Sequence, residues 1–343
     1  MAEPWHLALV GLGARSRVWA RLIAESRDAV LAAGVDPDEA ARARFAMSHP
    51  GVPCHATLAP ALDGADAVVL VTPPQHRTTQ LAPLFAARLP VLAEKPLADT
   101  LAEAAAITRA AAEAGVLLSV GLNFRYLPVT QAYRALLAER RFGAPGFGHM
   151  AYWRNRDPDT PGLNRYPKTM RHPMLLEQSI HHLDLIRFVH GAAIETIACR
   201  TWNPGWSPYA HHANVACQMT LSDGSEVGYL GTWAGGWNQL RFHWRTDCER
   251  GVVVQQALFG DLATAGADDA SLTPVALPQG EPFLDDTRAL LAQFLAALRG
   301  QAELPCPAED HLQSLAACFA AIEASETGSR IDMRRFLRAA GVA

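Results

Sequence analysis

His6-Leu-Ala-Leu-Val10 runs directly into Gly11-Leu-Gly13-Ala14-Arg15-Ser16, and a stretch with helical potential, Arg17 to Glu25, follows. An apolar run, a glycine turn and a helix in that order make the opening of a nucleotide-binding βα unit. Gly11 permits the tight turn. Gly13 lets backbone N–H groups approach a pyrophosphate at the helix N-terminus, where the helix dipole favours an anion. Ala14 and Arg15 complete the turn, and Ser16 stands where a third glycine is usual, small enough for close packing. A second strand, Ala29–Val35, ends at Asp36, 25 residues after Gly11. A carboxylate there accepts both ribose hydroxyls of NAD and repels a 2′-phosphate. Arg15 and Arg17 pull the other way, so NADP stays possible. The competing reading is an ordinary glycine-rich βα turn.

The same alternation continues outward. Ala67–Val71 is a buried-type strand ending in Thr72-Pro73-Pro74-Gln75-His76, with a helical stretch over Thr79–Ala87. Leu89–Ala93 is the next strand and ends in Glu94-Lys95-Pro96; Leu101–Ala114 is helical and Val116–Val120 is a strand. Strands alternating with helices predict a doubly wound parallel sheet. Ligands of such sheets sit at the carboxyl ends of the strands, where the turns at Gly11–Ser16, Asp36, Thr72–His76 and Glu94–Pro96 all fall.

The chain as a whole is 343 residues, 50% apolar and 19% charged, with a net charge of -4. That balance excludes a disordered chain and gives no basic excess for nucleic acid or an anionic membrane. Six scattered cysteines without a CxxC pair read as free thiols rather than a disulfide frame or zinc site. No uninterrupted apolar run is long enough to span a bilayer, and the N-terminal run reads as a strand rather than a signal peptide. The expectation is a soluble cytoplasmic protein of two domains, 1–122 and 123–343, with the boundary near Gly121–Arg125.

The second half differs in texture. Phe147–Arg154, Ile194–Trp202, Ala213–Leu221, Glu226–Trp233, Leu240–Thr246 and Gly251–Gln256 are strand-like, and Pro282–Arg299 and Ala308–Glu326 are amphipathic helices. They predict an antiparallel sheet with helices on one side, an α+β arrangement that leaves the other face for a partner. Chemistry concentrates in Met174–Arg187. Glu177, His181 and Asp184 are spaced i, i+4, i+7, one face of a helix, and a carboxylate one turn from an imidazole raises its basicity. His182 points elsewhere and reads as structural; Asp184 reads as helix support through Arg187. Adjacent histidines on a helix diverge, so His181, His182, Asp184 and the distant His211-His212 are not read as a metal site.

The polar connection Arg154–Pro173 leads into that helix and carries Arg154, Arg156, Arg165, Lys168 and Arg171. Long loops of this kind are functional lids or solvated segments. The 30 basic residues include only two lysines, Lys95 and Lys168. Lysine can lose its proton when desolvated and arginine effectively cannot, so both positions ask for a reason. Trp202, Trp206, Tyr209, Trp233 and Trp237 offer flat faces to sugar rings or fill core and interface.

Gly-x-Gly with Asp36-Pro-Asp38, Thr72-Pro73-Pro74-x-x-Arg77, Glu94-Lys95-Pro96-Leu97-Ala98, Gly121-Leu-Asn-Phe-Arg125-Tyr, Glu177-Gln-Ser-Ile-His181-His-Leu-Asp184 and Glu323–Gly328 resemble the Gfo/Idh/MocA oxidoreductases over nearly the whole chain. The resemblance implies a Rossmann domain followed by a domain with an open, mainly antiparallel sheet, and a Lys–Pro peptide that is commonly cis. It implies that Lys95 and His181 are catalytic. Glu177 stands where the family often has Asp, one methylene longer. NAD would lie along Gly11, Gly13, Ala14, Arg15, Ser16, Asp36, Thr72, Pro73, His76, Glu94, Lys95 and Pro96. Arg125, Tyr152, Arg154, Lys168, Glu177 and His181 would meet the substrate. The implied activity is hydride transfer between nicotinamide and a secondary alcohol or ketone of a sugar, polyol or related cyclic compound. The protein would be a homodimer or homotetramer paired through the open sheet. An NAD-assisted glycosidase and a catalytically silent sugar- or nucleotide-sensing regulator are alternatives on the same fold.

Overall fold

The computed structural model describes residues 3–75, 77–160, 163 and 165–342. The chain divides into two units, Met1–Asn123 with Glu281–Leu312, and Phe124–Gly280 with Gln313–Ala343.

Six strands carry the first unit: β1 (Trp5–Val10), β2 (Ala29–Val35), β3 (Cys54–His55), β4 (Ala67–Leu70), β5 (Val91–Ala93) and β6 (Leu118–Val120). Their order is β3-β2-β1-β4-β5-β6, and every pairing is parallel. The intervening segments hold α1 (Ser16–Glu25), α2 (Glu39–Ser48), α3 (Ala59–Leu62), α4 (Arg77–Ala86) and α5 (Leu101–Ala114). Leu7, Ala8 and Leu9 are fully buried, as in a strand covered on both faces. α1 buries Ser16, Trp19, Ala20 and Ile23, an i, i+3, i+4, i+7 stripe. α5 starts at Thr100, whose side chain accepts from Glu103 N–H, and stops at Gly115 in the left-handed conformation (φ 65°). The strand order reverses between β1 and β4, which places a crevice at their carboxyl ends.

The second unit has a nine-stranded sheet from β7 (Pro145–Trp153), β8 (Ile194–Trp202), β9 (Asn214–Leu221), β10 (Glu226–Thr232), β11 (Arg241–Cys248), β12 (Gly251–Ala257), β13 (Gly260–Gly266), β14 (Thr273–Pro274) and β15 (Ile331–Asp332). All its pairings are antiparallel except β10 with β7. α6 (Pro128–Ala138) lies against one face: Tyr133 stacks on Trp244 at 4.5 Å and its hydroxyl donates to Val253 O at 3.1 Å. Alternation along β7 buries Met150 and Tyr152 on that face and leaves Phe147 62% and Trp153 38% exposed on the other.

The segment Met174–Arg187, read from sequence as one α-helix, starts instead as a π-helical turn, Met174–Ser179, and becomes α-helical only in α7 (Ile180–His190). A turn closed by i→i+5 hydrogen bonds holds more residues than an α-turn, so α-helical spacing does not give the angle between Glu177 and residues beyond it. Ile180 through Ile186 are all buried, so α7 is a core helix rather than an amphipathic one.

After β14 the chain returns to the first unit with α8 (Asp285–Leu298) and the opening residues of α9 (Ala308–Thr327); α10 (Met333–Ala339) closes the second unit. The return is bonded to the edge of the parallel sheet: Val120 N–H donates to Cys306 O at 2.9 Å and Ser119 Oγ to Pro305 O at 2.5 Å.

Candidate active site

In the first unit the glycine turn and the turn after β4 are pressed together. Gly11 has φ +91°, and a Cβ there would meet Val71 C, Thr72 N and Thr72 Cγ2, each at 3.0 Å. Only glycine suits both the conformation and the space. A Cβ on Gly13 would meet nothing within 4 Å. Among the described residues no side chain caps the start of α1, so backbone N–H groups there keep their capacity for an anion. Ser16 is used locally, its Oγ donating to Gly13 O at 2.6 Å. Asp36 holds the turn from the side: its carboxylate accepts from Leu12 N–H at 2.8 Å and Asp38 N–H at 2.9 Å. A carboxylate has about four lone-pair sites, so capacity for ribose hydroxyls remains. These features fit a dinucleotide.

Glu94 is the hub of the next turn. Arg15 Nε donates to its Oε1 at 2.7 Å and Trp19 Nε1 to the same oxygen at 2.8 Å. Burial works to raise the Glu94 pKa, but the charge and hydrogen bond of Arg15 together with Trp19 hold it below the ordinary value. Arg15, which the sequence left available to a 2′-phosphate, is therefore tied to Glu94 and also to Thr287 Oγ1 at 3.1 Å. The Lys95–Pro96 peptide is cis. Directly after it, Leu97 N–H donates to buried His311 Nε2 at 3.2 Å. Thr72 Oγ1 donates to Gln80 at 2.6 Å, and Pro73 is exposed beside it. His76 lies outside the described residues.

In the second unit His181 is 7% exposed and stacks on Phe124 at 4.4 Å with an interplanar angle of 23°. Glu177 lies in the π-helical turn, half-buried. Asp184 turns into the core, where Arg125 clasps it with Nε at 2.8 Å and Nη2 at 2.5 Å and Ser314 Oγ donates at 2.7 Å. Arg187, its expected support, makes a longer ion pair with it at 3.9 Å. Arg125 thus has its fork on Asp184. His182 is fully buried and hydrogen-bonded through Nδ1 to Tyr229 Oη at 2.8 Å; burial pushes its pKa down to about 3. Tyr152 is 1% exposed and lies 4.9 Å from the His182 ring, so it supports the helix from beneath.

Along the connection, Arg154 is half-buried and Arg156 lies over Trp233 at 4.6 Å, bonded to Tyr209 Oη at 3.2 Å. Lys168 Nζ donates to Asp159 at 2.5 Å and Arg165 donates to the same carboxylate at 3.0 Å. Trp206 and Trp237 are exposed, while Tyr209 and Trp233 are buried. Among the described residues no group of three or more His, Cys, Asp or Glu is placed to hold a metal ion, and no helix is long and apolar enough to cross a membrane.

Three residues around the first-unit turns were missed from sequence as site residues. Arg77 is wholly buried and bridges the turns after β4 and β5. Arg42 donates to the carbonyls of Asp36 at 2.8 Å and Pro37 at 2.9 Å. His311 receives Leu97 N–H. Arg77 stood at the end of a quoted motif, which was a usable signal; Arg42 and His311 look like ordinary helix residues in the chain.

A parallel sheet of this order, with an open glycine turn and an acid at the end of β2, defines a dinucleotide-binding unit. Residues 5–122 match the oxidoreductase family with the NAD-binding Rossmann fold, and residues 130–254 match the GFO/IDH/MocA C-terminal domain. The chain belongs to this NAD-binding oxidoreductase family. It is 27% identical to the rhizopine catabolism protein MocA of Rhizobium meliloti over 93% of this chain and 94% of that one. It is 26% identical to the 1,5-anhydro-D-fructose reductase of Ensifer adhaerens over 78% and 80%. An Agrobacterium radiobacter oxidoreductase, crystallised with NAD+, L-tartaric acid and magnesium, shares the fold with a TM-score of 0.89 at 20% identity, covering 98% of this chain and all of the other.

Proposed function

We propose that the protein is an NAD-dependent dehydrogenase of a secondary alcohol on a sugar, polyol or related cyclic compound. The observation that carries the reading is the immobilised turn around Lys95. Its neighbour Glu94 is held by Arg15, Trp19 and Arg77, and Leu97 is held by His311. A lysine whose backbone is fixed on both sides is suited to hold one oxygen of a substrate in a single place.

Bound NAD would supply the hydride acceptor; the protein's part is orientation and proton handling. In the oxidation direction His181 takes the hydroxyl proton. Lys95 Nζ donates a hydrogen bond to the same oxygen and stabilises the negative charge that develops there. Glu177 orients the imidazole. Asp36 selects NAD over NADP by repelling a 2′-phosphate. Arg154 and Lys168 contact the substrate from the connection, with Tyr152 and Arg125 supporting from within the second unit. The exposed face of the nine-stranded sheet bearing Phe147 and Trp153 pairs two copies of the chain, and the protein works in the cytoplasm.

The test is NADH formation over a panel of sugars, polyols and cyclic alcohols. Stoichiometric NADH with one class of secondary alcohol is expected. Hydrolysis of a glycoside without net NADH would replace this reading with an NAD-assisted glycosidase. Binding without turnover would replace it with a sensor.

A further inference from the structure

The second unit contains a cavity of about 350 Å³ to which the candidate catalytic set contributes nothing. It collects positive charge from distant parts of the chain. Arg171 and His172 come from the end of the polar connection, Arg200 from β8, His211 and His212 from the β8–β9 loop, and Glu326 from α9. We infer that this pocket is an oxyanion site for a small carboxylate- or phosphate-bearing metabolite.

Its charge points that way. The two guanidiniums are permanently charged, and Glu326 is the one acid on the wall, 4.0 Å from Arg171 and 3.7 Å from His172. The balance is positive before any histidine is protonated. Two arginines among the lining residues disfavour a cation, and planar guanidiniums suit carboxylate and phosphate oxygens.

The pocket is also built rather than incidental. Thr201, 7% exposed, takes Ser325 Oγ on its N–H at 2.8 Å and bonds through Oγ1 to His212 Nδ1 at 2.9 Å. Asn203 Nδ2 donates to His211 O at 2.7 Å and Tyr209 O at 3.1 Å, while its Oδ1 accepts from Ala213 N–H at 2.8 Å; together these fix the loop that carries both histidines. His172 is held at φ 49°, and its Nδ1 is buried with no hydrogen-bond partner among the described residues. The volume falls within the range of small-molecule pockets. Because His172 O accepts Leu176 N–H at 3.1 Å, an anion on His172 fastens the start of the helix that carries His181.

The inference is independent of the proposed reaction, and its test needs no substrate. Inorganic phosphate and citrate are titrated calorimetrically into the full-length protein at constant ionic strength. The double variant Arg171→Gln, Arg200→Gln is run alongside, with NADH affinity as the measure of intact folding. Saturable one-site binding of at least one probe is expected, with a Kd below about 1 mM. The double variant should weaken it by about tenfold or more, with the NADH Kd unchanged. Phosphate binding alone assigns a phosphate ester, and citrate binding alone a polycarboxylate. Saturation by neither probe, or equal binding by wild type and variant, overturns the site.

Discussion

The guanidinium of Arg77 donates to the backbone carbonyl of Glu94 at 3.2 Å and, with its other terminal nitrogen, to that of Thr72 at 2.7 Å. One fully buried side chain thus joins two neighbouring strand ends, one of them immediately before Lys95. Burial lowers its pKa to about 10 even though Glu94, Asp99 and Glu103 act to raise it, so it stays charged at neutral pH. Arg77→Gln should destabilise the protein by about 2–4 kcal/mol, because buried carbonyls lose their donors. Turnover should fall as well. Arg77→Lys should recover only part of either, since one ammonium does not reproduce the fork. Urea denaturation with kcat on the three proteins checks this.

Asp36 holds the glycine turn, and the proposed function gives it a second task, selection of NAD. Asp36→Asn removes the charge and keeps one side-chain oxygen for Leu12 N–H, but turns its amide NH2 towards Asp38 N–H. It should relax the preference for NADH over NADPH by about tenfold or more at a cost of about 1 kcal/mol in stability. Asp36→Ala should add a loss of about 1 kcal/mol from the unsatisfied turn. Tighter NADPH than NADH binding by the wild type would overturn the assignment of Asp36.

Lys95→Ala and His181→Ala should each lower kcat by about 10²–10⁴-fold, the scale of acid–base groups. NADH affinity should stay nearly constant. Glu177→Gln should cost less, since the proposed mechanism has that residue orient the imidazole without transferring a proton. Full activity in His181→Ala would remove the π-to-α helix from the mechanism.

His182 predicts an acid sensitivity with a definite sign. Its pKa falls from 6.5 to about 3 on burial. Below about pH 6.5 the unfolded chain binds a proton that the folded chain refuses. The contribution to stability is therefore complete above that pH and is lost as pH falls toward 3, by up to about 1.4 kcal/mol per pH unit. Between pH 6 and 5 the wild type should lose about 1 kcal/mol more than His182→Asn. Equal losses in denaturant titrations would show that His182 accepts a proton in the folded state.

Lys168 is paired with Asp159 on an exposed stretch, and arginine could keep that pair. Lys168→Arg therefore isolates any contact with substrate. KM should rise with kcat and the NAD dissociation constant unchanged, the pattern of binding made equally in ground and transition states. Wild-type kinetics would leave Lys168 as half of a surface ion pair.

The parallel sheet could be read from the chain because β1, β2, β4 and β5 are largely apolar runs that each end in a distinctive turn. β3, with two residues, and β13–β15 at the rims offer too little pattern to read, and α6 was passed over. Nothing in Met174–Ser179 distinguishes a π-turn from an α-turn, since the difference lies in which carbonyl each N–H meets. The resemblance marked Arg125 as a substrate residue, but its ion pair with Asp184 could not be read, since that partner is 59 residues away in sequence. Pro282–Arg299 could be recognised as a helix, but no local signal says which sheet it joins.

That last point bears on how the chain is made. Ser119, Val120 and Leu97 in the first unit are bonded to Pro305, Cys306 and His311. A ribosome releases β6 long before it releases their partners. The nascent nucleotide-binding sheet must therefore wait, with its β6 edge and the Lys95 turn unfinished, until the chain has emerged as far as His311. A fragment ending at residue 122 would be frozen in that unfinished state.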